Sequence, residues 1–379
     1  MAGLLGRGLG AVAEPFSLRE VLQPAAVGGY ARSIVGYAMA SKGPEWLIWI
    51  VTGACNLRCP YCYAERYQVE KPLSTREALS LLDEAAELGI EHVNLTGGEP
   101  LLRRDIFKII EAARNHGIET SIFTNMTLMT EDTAAWLARL EAFLYTSLDG
   151  PRDVYEKAKG PGSWARLLKG LEVVRRHGLG FHINIPVSRL NYSRVAEAIR
   201  TAVELGASSI SMIPAMPAGR APGTGTSVSS HEFLEALRQA EAAASQLGIT
   251  VAVWCAPFTR VLSWARHLTS SNCRDWNVID ITPSGKVVFC DVLGVVVADV
   301  KRDGLRGAWE KLQKHPLNRL INTTPRQCMG CPAAASCRGA CYARAQLYWG
   351  QLPSPDPLCP VAGPRAPGVE TGGAQRGAR

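Results

Sequence analysis

The sequence of 379 residues predicts an α/β fold, an incomplete parallel barrel of six βα units followed by a cysteine-rich segment. From Trp46 onward, short apolar runs alternate with amphipathic stretches, which is typical of βαβ units on a parallel sheet. Several amphipathic stretches end in a glycine just before the next apolar run, as at Gly178 and Gly248, and glycine is a common residue after a helix. Seven of the eleven cysteines lie between Cys273 and Cys359, beyond the end of this alternation. The length is sufficient for one large domain and a smaller one.

The composition excludes several classes of protein. Apolar residues make up 47% and charged residues 20% of the chain, as in soluble globular proteins, and no apolar run reaches the roughly 18 residues of a membrane span. Arg7 interrupts the apolar stretch near the N-terminus, so no signal peptide is predicted. The net charge of +7 is spread along the chain and does not favour nucleic-acid binding. Eleven cysteines without a secretion signal therefore indicate metal ligands in a cytoplasmic protein.

The elements follow in chain order. Residues 1–44 are a Gly- and Ala-rich lead, with one helix predicted from Ser17 to Leu22 onward and another near Tyr30 to Ala40. The predicted strands are Trp46 to Val51, His92 to Thr96, Glu119 to Phe123, Phe143 to Ser147, Phe181 to Pro186 and Ser209 to Ile213. The predicted helices are Thr75 to Leu88, Arg104 to Asn115, Glu131 to Leu140, Trp164 to His177, Val195 to Leu205 and His231 to Leu247. Residues 363–379 are rich in Gly, Pro and Arg and are predicted to be disordered.

The loop after the first strand carries three closely spaced cysteines. It reads T-G-A-C-N-L-R-C-P-Y-C-Y from Thr52 to Tyr63 and places Cys55, Cys59 and Cys62 in a C-x3-C-x2-C spacing. Three thiolates can hold three irons of a cubane cluster, and the fourth iron then lacks a protein ligand and can bind a substrate or cofactor. Zinc is the alternative, although zinc sites usually have a second ligand pair.

Polar motifs follow the next strands as well. Gly97-Gly98-Glu99-Pro100 follows the second strand, Thr124-Asn125 the third and Ser147-Leu148-Asp149-Gly150 the fourth, so all of them are expected on the C-terminal rim of the sheet. A Gly-Gly pair allows the backbone to approach a ligand closely, and the carboxylate of Glu99 can take an ammonium group. Ordinary turns would explain G-G-E-P or S-L-D-G taken alone. Asn184 and Asn191 are weaker candidates, and the loop Pro214 to Gly225 either borders a substrate or is a plain linker.

Taken together, the three-Cys loop and G-G-E-P one βα unit later resemble the radical S-adenosylmethionine (radical SAM) enzymes. The resemblance implies a partial (β/α)6 TIM-like barrel and a [4Fe-4S] cluster whose open iron chelates S-adenosylmethionine, which is cleaved to methionine and a 5'-deoxyadenosyl radical. It also implies an external one-electron donor such as ferredoxin or flavodoxin. The implied cluster ligands are Cys55, Cys59 and Cys62, and the implied S-adenosylmethionine contacts are Gly97, Gly98, Glu99, Pro100, Ser147 and Asp149.

The later cysteines resemble the seven-cysteine SPASM extension of radical SAM enzymes, which carries two auxiliary [4Fe-4S] clusters. A hairpin is predicted within it, between Val278 to Ile281 and Val287 to Phe289. The resemblance assigns three ligands to the first auxiliary cluster and four to the second; these are Cys273, Cys290 and Cys341, and Cys328, Cys331, Cys337 and Cys359. Cys255 is our candidate for the missing fourth ligand, the alternative being a buried free thiol. Asp291 resembles the proton-accepting Asp of the sulfatase-maturing members, the alternative being a structural carboxylate.

The predicted organisation is a lead (1–44), a radical SAM core (45–250), a SPASM domain (251–362) and a tail (363–379). The predicted function is oxidative modification of a peptide or protein, or of a tetrapyrrole in haem synthesis, by a radical SAM enzyme. The stretch C-R-G-A-C-Y-A-R-A with D-P-L-C-P resembles the haem-synthesis branch. The alternatives are an iron–sulfur electron-transfer protein, for which G-G-E-P would have no use, and a zinc-stabilised interaction protein.

Overall fold

A computed structural model describes residues 43–363, which contain an eleven-stranded sheet with helices packed against it. The sheet has the order β11-β10-β9-β1-β2-β3-β4-β5-β6-β7-β8. Its strands are β1 (Trp46–Thr52), β2 (His92–Gly97), β3 (Glu119–Phe123), β4 (Phe143–Ser147), β5 (Phe181–Val187), β6 (Ser209–Pro214), β7 (Val251–Val253), β8 (Leu268–Thr269), β9 (Val278–Ile281), β10 (Lys286–Val288) and β11 (Val296–Asp299). The pairings from β9 through β1 to β8 are parallel, which confirms the predicted parallel α/β barrel architecture.

The six predicted helices are present, and their bounds differ from the predicted ones by at most two residues. A helix from Arg152 to Lys159 was not predicted. The helices are α1 (Thr75–Glu87), α2 (Ile106–Asn115), α3 (Glu131–Arg139), α4 (Arg152–Lys159), α5 (Ser163–Arg176), α6 (Val195–Glu204), α7 (Ala221–Thr224), α8 (Ser230–Leu247), α9 (Val300–Lys314), α10 (Pro316–Asn322), α11 (Ala334–Cys337) and α12 (Tyr342–Trp349). The predicted helices of the lead, and the predicted disorder beyond residue 363, lie outside the described residues. No helix of residues 43–363 is long and apolar enough to cross a membrane.

Side chains of the parallel strands alternate between two environments. In β1, Leu47, Trp49 and Val51 are fully buried and belong to the same core as helix residues such as Leu81 and Ile109. The intervening side chains point to the opposite face, the concave interior of the curved sheet, because successive residues of a strand face opposite sides. The helices thus bury one face of the sheet, and the other face remains for a ligand.

The cysteine-rich segment continues the sheet beyond the six strands that the alternation predicts. The short strands β7 and β8 extend it at one end, and β9 pairs in parallel with β1, with Trp46 opposite Val278 and Trp49 opposite Ile281. Strands of three and two residues carry no readable periodicity, so β7 and β8 could not be predicted. The predicted hairpin is confirmed as the antiparallel pair β9 and β10.

The helix ends follow the local sequence. Ser74 caps α1 and Ser229 caps α8, each in a reciprocal pair with a glutamate three residues later (Glu77 and Glu232). At the other end of α8, Gly248 adopts a left-handed conformation with φ of 65°, as expected for a glycine after a helix. These caps fix where each helix begins and ends, and so where the loops of the rim begin.

Candidate metal centre

The loop after β1 holds Cys55, Cys59 and Cys62 together, each of them partly buried. Burial, followed by the nearby charges of Glu99, Cys59 and Cys62, raises the pKa of Cys55 to about 11. Three thiolates this close repel one another in a poorly solvated loop, so they are stable together only beside positive charge such as iron. The donor set therefore fits the cluster predicted from the sequence. That these cysteines ligate iron stays a prediction.

A second loop braces the cysteine loop from outside. Gly219 approaches so closely that a Cβ there would lie 2.3 Å from the carbonyl oxygen of Cys62. Arg220 donates from its backbone N–H to the same carbonyl at 3.1 Å and from Nη1 to the carbonyl of Cys59 at 3.0 Å. The segment 214–225, left open as a linker or a substrate border, thus contacts the cysteine loop directly.

The Gly97-Gly98 pair lies against the backbone of the cysteine loop. The N–H of Gly98 donates to the carbonyl of Thr52 at 2.8 Å and that of Glu99 to the carbonyl of Ala54 at 2.7 Å. A Cβ at Gly98 would lie 2.2 Å from the Ala54 oxygen, and one at Gly97 would lie 2.3 Å from the Thr52 oxygen. Both positions therefore require glycine, and the G-G-E-P motif holds the cysteine loop in place.

Glu99 is fully buried and its carboxylate is engaged by the protein itself. It accepts hydrogen bonds from the backbone N–H groups of Leu101 at 3.1 Å and Asn125 at 2.7 Å, and so ties the loop after β2 to the loop after β3. Burial raises its pKa to about 7. Pro100 is buried and begins the short 3-10 turn Pro100–Leu102. The expected contact of Glu99 with an ammonium group stays a prediction, and the structure assigns its carboxylate an additional role in positioning the rim.

Ser147 and Asp149 meet a lysine that sequence reasoning missed. Lys159, the last residue of α4, is nearly inaccessible, and its Nζ lies 2.8 Å from Oγ of Ser147, 3.3 Å from Oδ2 of Asp149 and 3.9 Å from Sγ of Cys59. Tyr61, inside the cysteine loop, donates to Oδ1 of Asp149 at 2.5 Å. Although burial lowers the pKa of Lys159, the charges of Asp149 and Cys59 outweigh it and raise the pKa well above its ordinary value. The cysteine loop therefore has a fixed ammonium group beside it.

The two weaker candidates have structural partners. Nδ2 of Asn191 donates to the carbonyl of Asp149 at 2.8 Å, and Nδ2 of Asn184 donates to Oγ of Ser211 at 2.7 Å. Both amides are buried. They hold the loop after β4 and the interior face of β5 and β6 in place.

Four thiols converge at a second position, and Cys255 is one of them. Its thiol donates a hydrogen bond to Cys341, which lowers the pKa of Cys341 to about 7. The pKa of Cys255 is raised, chiefly by the same hydrogen bond and by burial. The nearby charges of Cys341, Cys273 and Cys290 add to this effect. The structure thus brings Cys255 to the three cysteines for which it was proposed as the fourth partner, and its role as a ligand stays a prediction.

The remaining four cysteines line a single cavity. It is bordered by Phe258, Val261 and the small side chains of Ala334 and Ala340. The four lining thiols are Cys328, Cys331, Cys337 and Cys359. An apolar cavity with four sulfur donors fits a cubane cluster, which is ligated by four cysteine thiolates.

A buried ion pair joins the two later cysteine sets. Arg344 donates from Nε to Oδ1 of Asp356 at 2.9 Å, and from Nη2 to Oδ2 at 2.5 Å and to the carbonyl of Cys255 at 2.7 Å. Asp356 in turn accepts from the backbone N–H of Cys341 at 3.1 Å and of Leu358 at 2.9 Å. Both side chains are almost inaccessible to solvent. Sequence reasoning missed this pair, because nothing in the spacing of the cysteines indicates it.

Asp291 lies between the first cysteine loop and the second set. Its Oδ2 accepts a hydrogen bond from Tyr63 at 2.6 Å, and its backbone N–H donates to Oδ2 of Asp280 at 2.9 Å. Its Oδ1 lies 3.7 Å from Sγ of Cys290. Burial raises the pKa of Asp291. Burial and the nearby charge of Asp291 raise the pKa of Asp280. A buried carboxyl group of raised pKa can hold a proton, as a general base must, and the catalytic role of Asp291 stays a prediction.

The comparisons with known proteins agree with this geometry. A family model described as the Radical SAM superfamily matches residues 49–202. The AdoMet-dependent heme synthase of Methanosarcina barkeri is 28% identical over 84% of this chain and 97% of its own length. The PqqA peptide cyclase of Gluconobacter oxydans is 25% identical over 84% of this chain and 91% of its own length. Among solved structures, native anSMEcpe with bound AdoMet superposes with a TM-score of 0.63 at 18% identity, over 79% of this chain and 89% of that one.

Proposed function

We propose that this chain, which is a radical SAM enzyme, oxidatively removes CO2 from a carboxylate side chain of a tetrapyrrole. The bound cofactors would supply a 5'-deoxyadenosyl radical, which takes a hydrogen atom from the substrate. The proposal assigns the radical-generating cluster to Cys55, Cys59 and Cys62 and the two auxiliary clusters to the two later cysteine sets, with Cys255 in the first of them. It divides the chain near residue 250 into a core and a SPASM domain.

The observation that carries the choice of substrate is a group of aromatic rings in the interior of the sheet. Phe123 and Tyr145 stack with their ring centres 4.4 Å apart, and His182 and Trp254 stack at 5.4 Å with planes only 5° apart. Tyr145 and His182 join the two pairs at 4.8 Å. These residues belong to β3, β4 and β5 and to the turn after β7, and Tyr145 lies two residues before the rim residue Ser147. A flat conjugated macrocycle is the kind of ligand that such rings stack against.

His182 completes this floor as a neutral ring. Its two ring nitrogens lie 2.7 Å and 2.6 Å from the hydroxyl oxygens of Ser209 and Ser211, and burial lowers its pKa to about 4. Both nitrogens are therefore occupied, and His182 supports the neighbouring rings of Tyr145 and Trp254 as an uncharged ring. The charge for a carboxylate substrate or for the carboxylate of the cofactor would come from Lys159, which contacts Ser147 at the rim.

The residues of this chain would act as follows. The Gly97-Gly98 backbone and Lys159 would orient the cofactor beside the cysteine loop, and the ring group would present the substrate from below. After loss of a hydrogen atom, a carboxylate-bearing side chain releases CO2 and one electron and becomes an alkene, so no proton has to be removed. The electron requires an acceptor, which the auxiliary cysteine sets would hold. An external ferredoxin- or flavodoxin-type donor and a cytoplasmic location, where eleven thiols stay reduced, belong to the same proposal.

A peptide is the second candidate substrate, because peptide-modifying relatives also match this chain over most of its length. Oxidation of an alcohol or thiol side chain in a peptide would release a proton, for which Asp291 is placed. The two candidates therefore differ in whether Asp291 is needed.

The test uses anaerobically reconstituted protein with about twelve irons, as three cubane clusters require. S-adenosylmethionine, dithionite and an iron porphyrin that carries propionate groups are added. We expect 5'-deoxyadenosine together with a porphyrin that has lost one CO2 and two hydrogens per modified side chain. A Cys55/Cys59/Cys62→Ala variant is the control and should form neither product. Release of 5'-deoxyadenosine without any change to the porphyrin would reject the tetrapyrrole and leave the peptide.

A further inference from the structure

Exposed apolar side chains surround the cavity of the last four cysteines. Met329, next to Cys328, is 70% exposed, and Val361, which lines the cavity, is 60% exposed. An adjacent groove lined by Gln327 and Trp349 shares the lining residues Pro355 and Ala362 with that cavity. Apolar side chains of this size on one exposed face indicate an interaction surface.

The segment that forms this face carries little negative charge, and the nearby Asp275 is paired with Arg338. From Gln313 to Gly363 the sequence contains a single acidic residue, Asp356, which is buried in its pair with Arg344. Arg326 is exposed and lies two residues before Cys328. The face therefore combines apolar side chains with the positive charge of Arg326 beside them, an arrangement suited to an acidic partner.

The cysteines beneath this face are close to solvent. Cys331 and Cys359 are only partly buried, whereas Cys328 and Cys337 are buried. A cluster held by these four thiols would lie directly under the apolar patch. A protein that exchanges electrons with it would have to dock at this face.

We infer that the face around Met329, Val361, Trp349 and Arg326 is the docking surface for an acidic one-electron carrier protein. The inference rests on the proposed function, because it requires that the last four cysteines hold a redox cluster. A carrier with a carboxylate-rich surface would be steered by Arg326 and would cover the apolar side chains. Such an encounter needs only a small interface, as is usual for electron-transfer partners.

The test measures binding of an acidic ferredoxin to the reconstituted full-length protein by calorimetry at low and high salt. Arg326→Glu should weaken binding about tenfold at low ionic strength, and the difference should shrink at about 1 M salt because charges are then screened within roughly 3 Å. Met329→Asp should weaken binding at both salt concentrations, since it disrupts this apolar surface. Lys108→Glu is the control: it makes the same change of charge on the exposed side of α2 and should leave the affinity unchanged.

Wild-type affinity in both Arg326→Glu and Met329→Asp, or no binding of ferredoxin by the wild-type protein, would overturn the inference. A chain that ends at Gly363 should bind as the full chain does. Tenfold tighter binding after this truncation would identify residues 364–379 as the natural occupant and would also overturn it.

A second measurement separates this inference from the proposed function. With dithionite as reductant, both surface variants should form 5'-deoxyadenosine at the wild-type rate, because a small reductant needs no docking surface. Transfer of the substrate's electron to oxidised ferredoxin, measured with the porphyrin present, should be slower in both variants by about the factor lost in affinity. If the wild-type protein forms no 5'-deoxyadenosine with dithionite, the proposed function fails, and the loss of ferredoxin binding in the variants still supports the surface.

Discussion

The Arg344–Asp356 pair should control whether the two later cysteine sets can hold iron. It contacts three segments that carry cysteines: the carbonyl of Cys255, the N–H of Cys341 and, through the N–H of Leu358, the turn before Cys359. Both auxiliary sites therefore depend on one buried pair of charges. The perturbation that tests this dependence is Arg344→Gln.

The expected cost follows from burial. The Arg344 and Asp356 side chains are 3% and 0% exposed, so the substitution leaves a carboxylate inside the protein with only two backbone N–H donors. Removing one partner of a buried ion pair costs about 3–5 kcal/mol. Arg344→Gln/Asp356→Asn should recover part of this loss, because neither residue is then charged.

The assay combines urea unfolding of the metal-free protein with iron analysis and electron paramagnetic resonance of the reconstituted protein. Iron should fall from about twelve toward about four per chain, and the remaining signal should be that of the cluster that binds S-adenosylmethionine. Arg302→Gln is the matched control, because Arg302 is largely exposed and its partner Asp303 keeps a second cation, Lys311, so stability should stay nearly unchanged. An Arg344→Gln protein with about twelve irons and wild-type stability would refute the reasoning.

Three further predictions concern the rim. Gly98→Ala should lower the free energy of unfolding by about 1–3 kcal/mol and impair iron binding at the first loop, because its Cβ would meet the Ala54 carbonyl. Gly223→Ala is the control and should do neither, since a Cβ at Gly223 would have no atom within 4 Å. Equal iron content in both variants would contradict this prediction. Because the pKa of Glu99 is about 7 in the folded protein and ordinarily 4.5, the folded state holds its proton more tightly, and stability should fall by up to about 3 kcal/mol as pH rises through that interval. Urea titrations of metal-free Glu99→Gln should show a flatter pH dependence, and an unchanged slope would count against the buried carboxyl group. Asp291→Asn should retain product formation from a porphyrin, since loss of CO2 needs no base; loss of product at full iron content would identify Asp291 as the base and favour the peptide.

How far the sequence predicts the structure depends on the range of the interactions involved. The strands β1 to β6 and their helices could be predicted because burial on one face imposes a local period, and the cysteines because their spacing is itself the signal. The role of Lys159 could not be predicted, because it arises only where the end of α4 meets Ser147, Asp149 and the cysteine loop. The hydrogen bond from the N–H of Asn125 to Glu99 could not be predicted either, because it joins loops that follow different strands.

The pairing of β9 with β1 explains why the first cysteine loop and the second cysteine set are neighbours. The first loop follows β1, and Cys290 and Asp291 follow the hairpin that begins with β9. The contacts across this junction come from residues just after Cys62: Tyr63 donates to Asp291, Tyr67 donates to the carbonyl of Asp291, and Arg66 donates to the carbonyl of Leu293 at 3.1 Å. Because these side chains lie on the 3-10 segment Tyr63–Val69, the position of the first loop is coupled to that of the second set. Under the proposed function, a substrate radical formed beside the first loop would arise next to the second cysteine set, which would accept its electron.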